Sequence, residues 1–236
     1  MKKNIVMFSG GKDSTAMLLK MIEMNYQIDD IVCVDTGVEF PEMYEHIKKV
    51  EKYINRKITV LKFEKTFEYY LTEHEKTKGK NKGKKGYGFP DFRNRWCTTY
   101  KKNTATKYLK KYKDFDIIEY HGIAVDEIKR TEKNNDGRDI EYPMIDWDMT
   151  EKQALAYCYN RGFNWGGLYE KLDRVSCYLC PLSRISELET VYNDYPKLWD
   201  NMVELDKKSY REFRSDYTLT ELTYKFKENK KQQKLF

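Results

Sequence analysis

The chain lacks any long run of apolar residues. Its first apolar stretch, from Ile5 to Phe8, is too short for the hydrophobic region of a secretory signal, and no segment approaches the ~20 residues that a membrane-spanning helix needs. The five cysteines are odd in number and unevenly spaced, unlike a secreted disulfide framework. These absences predict a cytoplasmic protein without a membrane partner, whose thiols stay reduced unless a metal binds them.

A strong excess of charge is also missing. A formal net charge of +6 over 236 residues argues only weakly for an anionic partner. The distribution of the charge says more, because basic residues concentrate in residues 225–234 and in one glycine-containing stretch. That stretch holds Lys76, Lys78, Lys80, Lys82, Lys84 and Lys85. Both clusters are candidates for contact with nucleic acid; the alternative is a solubilising surface.

Residues 1–65 alternate short apolar runs with amphipathic stretches. Ile5 to Phe8, Ile31 to Val34 and Ile58 to Phe63 read as buried strands, and the segments between them as helices. This alternation predicts an α/β fold, with a Rossmann-like parallel sheet covered by helices on both faces. Ligands are then expected at the carboxyl ends of the strands.

The remaining chain predicts further elements of both kinds. Residues 73–88 are too rich in lysine and glycine to occupy a core and are expected to form a mobile loop or lid. A helix over 104–112, a strand over 115–120 and a helix opened by the capping-box pattern at Thr150 follow. Helices predicted up to residue 208 and over 219–234 complete a C-terminal part. The predicted domains are therefore residues 1–182, the α/β domain, and residues 183–236, a helical extension.

The most informative motif follows the first strand directly. A glycine-rich turn here allows close backbone approach to a ligand, and the start of the next helix directs N–H groups at an anion. A lysine adds positive charge, and two hydroxyls add donors. The segment predicts a pyrophosphate site; the alternative is an ordinary tight turn. It reads Ser9, Gly10, Gly11, Lys12, Asp13, Ser14.

The spacing of this motif differs from the Walker A loop and resembles the PP-loop of ATP pyrophosphatases. The resemblance implies binding of ATP, cleavage between its α and β phosphates and transfer of AMP to a substrate oxygen. Lys12 and Asp13 are the candidate catalytic residues of the loop, and Mg²⁺ is the implied metal ion.

Two further groups of residues follow predicted strands. Asp35, Thr36 and Gly37 end the second strand, where doubly wound folds place an acid that can bond a ribose hydroxyl. After the strand over 115–120 come a glycine, two acids and an arginine. The arginine could clamp an anion and an acid could hold magnesium, although an ordinary helix start explains them too. These are Gly122, Asp126, Glu127 and Arg130.

Four cysteines form a candidate metal site, whereas Cys33 lies in an apolar strand and is expected to pack in the core. Cys177 and Cys180 have the C-x-x-C spacing, and two sulfurs so spaced can bind one metal centre that distant residues complete. Cys97 is the candidate third ligand and Cys158 the candidate fourth. Thiolates suit zinc and a [4Fe-4S] cluster alike, so both stay open; a redox dithiol is the third explanation.

Five segments in order resemble the phosphoadenosine phosphosulfate (PAPS) reductase family: SGGKDS, DTGVEFPE, RWCTTYK, GIAVDEIKR and RVSCYLCP. The resemblance spans residues 4–190. It implies an adenine nucleotide α-hydrolase-like fold in which residues 9–14 hold phosphates and Asp35 to Gly37 lie by the nucleoside. Arg130 is implied to face the substrate anion.

Two departures separate the chain from sulfonucleotide reductases. No cysteine follows Cys180. The resemblance implies that sulfonucleotide reductases need a catalytic cysteine on a C-terminal tail. The phosphate loop keeps the ATP-splitting form that the reductases tend to alter. The resemblance therefore favours adenylation of a substrate followed by sulfur transfer to tRNA or DNA, with a sulfur donor protein as a further partner. The alternatives are a sulfonucleotide reductase and a nucleotide-binding, metal-stapled subunit of a larger complex.

Overall fold

The computed structural model describes residues 1–78, 81–133, 137–175 and 177–233. The chain divides into two compact units, each built from several stretches. The first unit contains Met1–Asp35, Phe40–Lys62 and Lys101–Tyr169, and the second contains Thr36–Glu39, Phe63–Tyr100 and Glu170–Phe236. This division does not follow the expected boundary between residues 182 and 183. Lys80 and Lys234 of the basic clusters lie outside the described residues.

The first unit contains a five-stranded sheet in the order β3-β2-β1-β4-β5, with parallel pairing throughout. Met7 of β1 is paired with Val32 of β2 on one side and His121 of β4 on the other. The predicted Rossmann-like parallel sheet is thus confirmed. The strands are β1 (Lys2–Met7), β2 (Asp30–Asp35), β3 (Thr59–Lys62), β4 (Asp116–His121) and β5 (Asp139–Glu141).

The strand order places a switch point between β1 and β4, because the chain runs outward from β1 through β2 to β3 and then returns to β4. Crevices at the carboxyl ends of strands at such a point are the usual ligand sites of doubly wound sheets. Ile5 and Val6 of β1 are fully buried, so the central strand is anchored in the core of this unit.

Helices flank the sheet. The described residues after 184 contain three further helices and no strand. No helix among the described residues combines the length and apolar character required to cross a bilayer. Three short 3₁₀ segments lie at Lys110–Tyr112, Val125–Lys133 and Trp165–Gly167. The helices are α1 (Lys12–Glu23), α2 (Pro41–Ile54), α3 (Phe67–Thr72), α4 (Trp96–Leu109), α5 (Pro143–Asp146), α6 (Glu151–Tyr159), α7 (Leu168–Lys171), α8 (Ile185–Asp194), α9 (Pro196–Lys208) and α10 (Leu219–Gln233).

The segment expected to form a mobile loop has ordered contacts near its end. The amides of Gly86 and Gly88 donate to the carbonyls of His74 and Leu71, at 2.9 and 3.0 Å. A Cβ on Gly86 would lie 2.3 Å from the Leu71 oxygen, so only glycine allows this approach to α3. The mobility of the rest of residues 73–88 stays a prediction.

Candidate functional site

The loop between β1 and α1 has the tight conformation that its glycines predict. Gly10 has φ of +80°, and a Cβ there would lie 3.1 Å from the Met43 methyl carbon. The Gly10 carbonyl accepts a 2.7 Å hydrogen bond from the indole N–H of Trp165. Because Trp165 is itself buried, this bond holds the Gly10 peptide in one orientation.

The two serines of the loop bind each other. Ser9 Oγ and Ser14 Oγ are 2.9 Å apart, and the Ser9 amide donates to Ser14 Oγ at 3.2 Å. No side chain caps α1 at its N-cap, Gly11. The amides of the first turn are therefore not used by a side-chain cap at Gly11, which suits an anion site. The Lys12 amide is bonded to the Tyr169 hydroxyl at 2.9 Å, which an anion would have to replace.

Gly122, at the end of β4, lies directly against the start of α1. A Cβ at this position would be 2.7 Å from both the nitrogen and the Cα of Ser14, far inside contact distance. The absence of a side chain thus lets β4 and the phosphate loop meet at the switch point of the sheet. Gly122 thus lies beside the phosphate loop, and a ligand contact for Gly122 stays a prediction.

Two carboxylates lie close to the loop lysine, and a third lies close to these two. Lys12 Nζ lies 2.7 Å from Glu151 Oε1 and 3.6 Å from Asp13 Oδ2. One oxygen each of Asp13, Glu127 and Glu151 lies within 4.8 Å of the others, the one such group of three potential metal ligands among the described residues. Hard oxygen donors of this kind suit Mg²⁺, which fits the ion that the resemblance implies.

Asp13 is the most perturbed acid of this group. Burial raises the pKa of its carboxyl to about 6, against the opposing charge of Lys12 and with the help of Glu151 and Glu127. Its Oδ1 atom is buried without a hydrogen-bond partner. A cation placed at the carboxylates would satisfy that oxygen and stabilise the ionised form.

Asp126 and Arg130 have local partners. Asp126 accepts the amide of Glu151 at 3.1 Å, which supports the N-terminus of α6, and Arg130 is ion-paired with Glu127. The arrangement agrees with the alternative of an ordinary helix start, in which acids and a base of neighbouring turns pair locally. Nucleotide contact by Asp126 and catalysis by Arg130 stay predictions.

The residues at the end of β2 are largely buried. Asp35 Oδ1 accepts a 2.9 Å bond from the Tyr44 hydroxyl in the first unit. In the second unit, Thr36 Oγ1 donates to Glu39 at 2.9 Å, and Gly37 has φ of +78°. The turn expected of Gly37 is present, and a nucleoside contact for these three residues stays a prediction.

Sequence reasoning missed Glu151 and its neighbours Trp165 and Tyr169. Glu151 carried only the signal of a capping box, which is indeed formed, since Thr150 and Gln153 bond each other's backbone amides. Its approach to Lys12 depends on the packing of α6 against α1, across 139 positions of sequence. No local pattern reports such a contact.

The four candidate metal cysteines have different surroundings. Cys158 lies in the first unit, fully buried on α6, and its thiol donates to the Lys12 carbonyl at 3.6 Å. Burial raises its pKa to about 12, which disfavours the thiolate that a metal needs. Cys97, Cys177 and Cys180 belong to the second unit and are half-buried. The metal role stays a prediction for all four.

The three second-unit cysteines do not form one tight group of sulfurs. In the part of the chain that the structure describes, their sulfurs do not all lie within 4.8 Å of one another. Zinc and a [4Fe-4S] cluster both stay predictions. None of the five cysteines forms a disulfide.

A cation lies close to this group. The Arg214 guanidinium donates to the carbonyls of Pro181 and Ser183 at 2.8 and 2.6 Å, and its charge interacts with Cys180. The same guanidinium is ion-paired with Asp216 at 2.8 Å. The second unit thus offers three half-buried thiols, one of them near this ion pair.

Comparison with known proteins decides the family. Residues 3–183 match the phosphoadenosine phosphosulfate reductase domain. The chain belongs to this family. The matched PAPS reductase domain contains the phosphate loop, the three carboxylates and all five cysteines. The chain is thus a member of the PP-loop superfamily, as its motifs predict.

Two uncharacterised proteins of Methanocaldococcus jannaschii are relatives of this PAPS reductase-domain chain. One is 31% identical over 238 residues, covering 95% of this chain and 53% of the relative. The other is 27% identical over 209 residues, covering 84% and 40%. The chain thus spans about half the length, or less, of the curated relatives that it matches.

Solved structures with a similar fold include PAPS reductase from Candida auris in a phosphate complex, with 15% identity and a TM-score of 0.44 over 71% of this chain and 77% of that one. Another is the U34-tRNA thiolase NcsA from Methanococcus maripaludis with its [4Fe-4S] cluster. It has 13% identity and a TM-score of 0.42, over 97% of this chain and 72% of that one. At these identities the likeness concerns the fold alone.

Proposed function

We propose that this PP-loop protein cleaves ATP to AMP and pyrophosphate, adenylates an oxygen of a nucleic acid and thereby prepares that position for sulfur. The observation that carries the proposal is the loop itself. Lys12 and the uncapped start of α1 meet three carboxylates at the switch point of the sheet. Cations and oriented amides at one point suit a polyphosphate, and the acids suit its magnesium ion.

Lys12 is ion-paired with Glu151 and Asp13. A bound triphosphate would offer the lysine new anionic partners, and Lys12 would then stabilise the charge that develops on the leaving pyrophosphate. Mg²⁺ held by Asp13, Glu127 and Glu151 would neutralise further charge on the phosphates.

The proposed reaction consists of two displacement steps, adenylation and then replacement of AMP by sulfur. An oxygen of the nucleic acid attacks the α-phosphorus, the bond to the pyrophosphate oxygen breaks, and AMP becomes attached to the acceptor. A sulfur nucleophile then forms a bond at the adenylated centre, and AMP departs with the oxygen. Hydrosulfide gives the thiolated product directly. A persulfide of a donor protein gives a disulfide between donor and acceptor, which a second thiol of the donor cleaves, so that the donor leaves as a disulfide. The protein's contribution to both steps is to orient the reactants and stabilise charge.

Cys97, Cys177 and Cys180 would hold a [4Fe-4S] cluster, with zinc as the alternative metal. Their placement in one unit and the cation beside Cys180 fit a thiolate-bound cluster. Such a cluster, when bound with three protein ligands, supplies an open iron for sulfur.

Nucleic acid is the proposed acceptor because the second unit carries exposed lysines in residues 73–88 and in α10. Lysines along a backbone stabilise binding by releasing counterions from the phosphates. Sulfonucleotide reduction is the second candidate, favoured by the name of the matching family. A nucleotide-binding subunit that acts only within a larger complex is the third.

The test incubates the protein with Mg²⁺, radiolabelled ATP and unfractionated tRNA, and separates AMP, ADP and pyrophosphate. We expect AMP and pyrophosphate in equal amounts, and loss of both in Lys12→Met. Lys20→Met is the matched control, because Lys20 lies on the same helix over the Trp147 ring and away from the carboxylates. Gly122→Ala should also abolish ATP binding, since the new Cβ collides with Ser14.

Three outcomes would contradict the proposal. ADP as the product would mean cleavage between the β and γ phosphates. Sulfite release from a sulfonucleotide and a thiol reductant, without AMP formation from ATP, would favour the reductase. ATP binding with no turnover unless a partner protein is added would favour the subunit.

A further inference from the structure

The second unit contains a cavity that none of the predicted site residues lines. Its volume is about 700 Å³, within the range of small-molecule pockets. The wall comes from three segments, residues 89–92, 181–182 and 210–216, and is both aromatic and charged. Among the lining residues are Phe89, Phe92, Pro181, Tyr210, Phe213 and Arg214.

Bonds between the three segments hold the cavity in shape. The rings of Phe89 and Phe213 meet edge to face at 5.0 Å. Arg211 is ion-paired with Asp91 at 2.5 Å, and Arg214 joins the wall to the carbonyl of Pro181 at 2.8 Å. A cavity fixed in this way can accept a planar ligand at little cost in reorganisation.

Phe92 is unusual among the aromatic residues. Its side chain lines the cavity and is 78% exposed, the most exposed Phe, Tyr or Trp among the described residues. The guanidinium of Arg95 lies 5.9 Å from its ring centroid. An exposed ring beside a cation is the arrangement on which unstacked bases of single strands are held.

Tyr210 connects the cavity to the basic segment. Its hydroxyl donates to the Tyr87 carbonyl at 2.9 Å and accepts from Lys76 Nζ at 2.9 Å. The Lys76 ammonium also lies 4.3 Å from the centroid of the Tyr210 ring. One wall of the cavity is therefore fixed to residues 73–88, which add Lys82, Lys84 and Lys85 as exposed cations.

The charge around the cavity is positive outside, whereas its wall carries two arginines and three acids. Within the wall, Arg211 faces Asp91 and Arg214 faces Asp216, and Glu212 adds a further acid. Arg93 and Arg95, next to Phe92, are exposed, as are the lysines beyond Tyr210. An uncharged planar group suits the interior, and a polyanion suits the rim.

We infer that this cavity binds one unstacked base of a single-stranded nucleic acid, with the base on Phe92 and the flanking phosphates at Arg95 and Lys76. The inference rests on the proposed function and deepens it, since it names where the acceptor strand is bound. Pro181 and Leu182 of the wall directly follow Cys180 in sequence. A base in the cavity thus lies against the segment that leaves the C-x-x-C pair.

The experiment measures binding of fluorescein-labelled ten-nucleotide strands to the full chain by anisotropy, without ATP. Two strands are compared in RNA and DNA form: oligo-U or oligo-dT, and a strand of equal charge whose central nucleotides are abasic. The variants are Phe92→Leu, Phe92→Trp and Arg95→Ala. Tyr53→Leu is the control, because Tyr53 is also exposed but belongs to the first unit and does not line the cavity.

We expect Phe92→Leu to weaken binding of the base-containing strand by roughly 5- to 150-fold, the range for loss of one stacked base. The same variant should leave the abasic strand unchanged, and Phe92→Trp should restore affinity. Arg95→Ala should weaken both strands and reduce the dependence of affinity on salt. A preference for RNA over DNA would identify a 2′-hydroxyl contact.

Equal weakening of both strands by Phe92→Leu would overturn the inference, as would no effect of this variant. Failure of the proposed function is distinguishable, because that failure appears in the ATP assay of the Lys12 variants. Strand binding that responds to Phe92 while ATP is not cleaved would keep this site and refute the adenylation.

Discussion

At the scale of single residues, Lys12 is held in place by acids from two helices. Its ammonium is 2.7 Å from Glu151 and 3.6 Å from Asp13, so it is neither extended into solvent nor unpaired. Under the proposed function, a triphosphate would compete with these acids for the lysine. A magnesium ion at the carboxylates would then replace the partner that they lose.

His46 lies behind the loop and allows a prediction of pH dependence. Its ring stacks on Trp165 with centroids 4.3 Å apart, and its Nε2 is 2.9 Å from Thr15 Oγ1. Burial, with a smaller effect from Lys49, lowers the pKa of His46 from 6.5 to about 3. Between these values the unfolded chain binds the proton and the folded protein does not, so stability falls as the pH drops below 6.5.

We expect this histidine to contribute up to about 1.4 kcal/mol of lost stability per pH unit within that window. Urea unfolding at pH 7, 6 and 5 measures the loss, and His46→Gln should remove it while leaving the acid dependence of other groups. His74→Gln is the control, because His74 is half-exposed and lies far in sequence from the phosphate loop. An unchanged slope in His46→Gln would show that the ring is accessible to protons.

The residues of the site differ in how far sequence could identify them. The loop residues 9–14 are contiguous and their chemistry is local, so the pattern alone is informative. Gly122 was recognised by its place after a strand. Glu151 and Trp165 contact the loop because distant segments of the chain pack together. The sequence around either residue gives no sign of this contact.

At the scale of elements, α6 is the helix that brings an acid to Lys12. Thr150 Oγ1 accepts the Gln153 amide at 3.2 Å, and Gln153 Oε1 accepts the Thr150 amide at 2.8 Å. The box fixes the first turn, in which Glu151 is the first helical residue. The precision of the contact between Glu151 and Lys12 thus depends on a helix cap.

We expect Thr150→Ala to cost about 1 kcal/mol of folding free energy and to weaken ATP binding. Thr218→Ala is a matched control, because Thr218 and Glu221 form the same reciprocal bonds at the start of α10. Urea denaturation should show similar losses for both variants, and calorimetric titration with ATP should separate them. Equal ATP affinity in the two variants would disprove the role of the α6 cap.

Sequence patterns predicted elements best where local signals were strong. β1, β2 and β4 were each located to within a few residues, because buried runs are followed by turn residues. The helix expected over 104–112 begins at Trp96, eight residues earlier, since its amphipathic pattern is weak. The helix expected up to residue 208 is interrupted at Pro196, which lacks the N–H that a continuous helix needs. β5 has three residues, too few to give a period.

At the scale of the whole molecule, the cysteines allow a test of metal content. After anaerobic purification we expect about four irons per chain with a brown absorption band, lost in Cys97→Ala, Cys177→Ala and Cys180→Ala. Cys158→Ala should keep the iron, because that thiol is buried and bonded to the Lys12 carbonyl.

Stoichiometric zinc in place of iron would make the three cysteines a structural site and weaken the proposal of sulfur transfer. Iron lost in Cys158→Ala, with the fold intact by circular dichroism, would restore Cys158 as the fourth ligand.

The bond between Trp165 and the Gly10 carbonyl has a consequence for the order in which the protein is made. The loop leaves the ribosome before its supports at Glu151, Trp165 and Tyr169, which follow it by about 140 to 160 residues. Contacts so distant in sequence close late, after much of the intervening chain is available. The loop of the nascent chain therefore lacks these contacts until Tyr169 has been synthesised, and a chain that stopped before Glu151 would carry the motif without them.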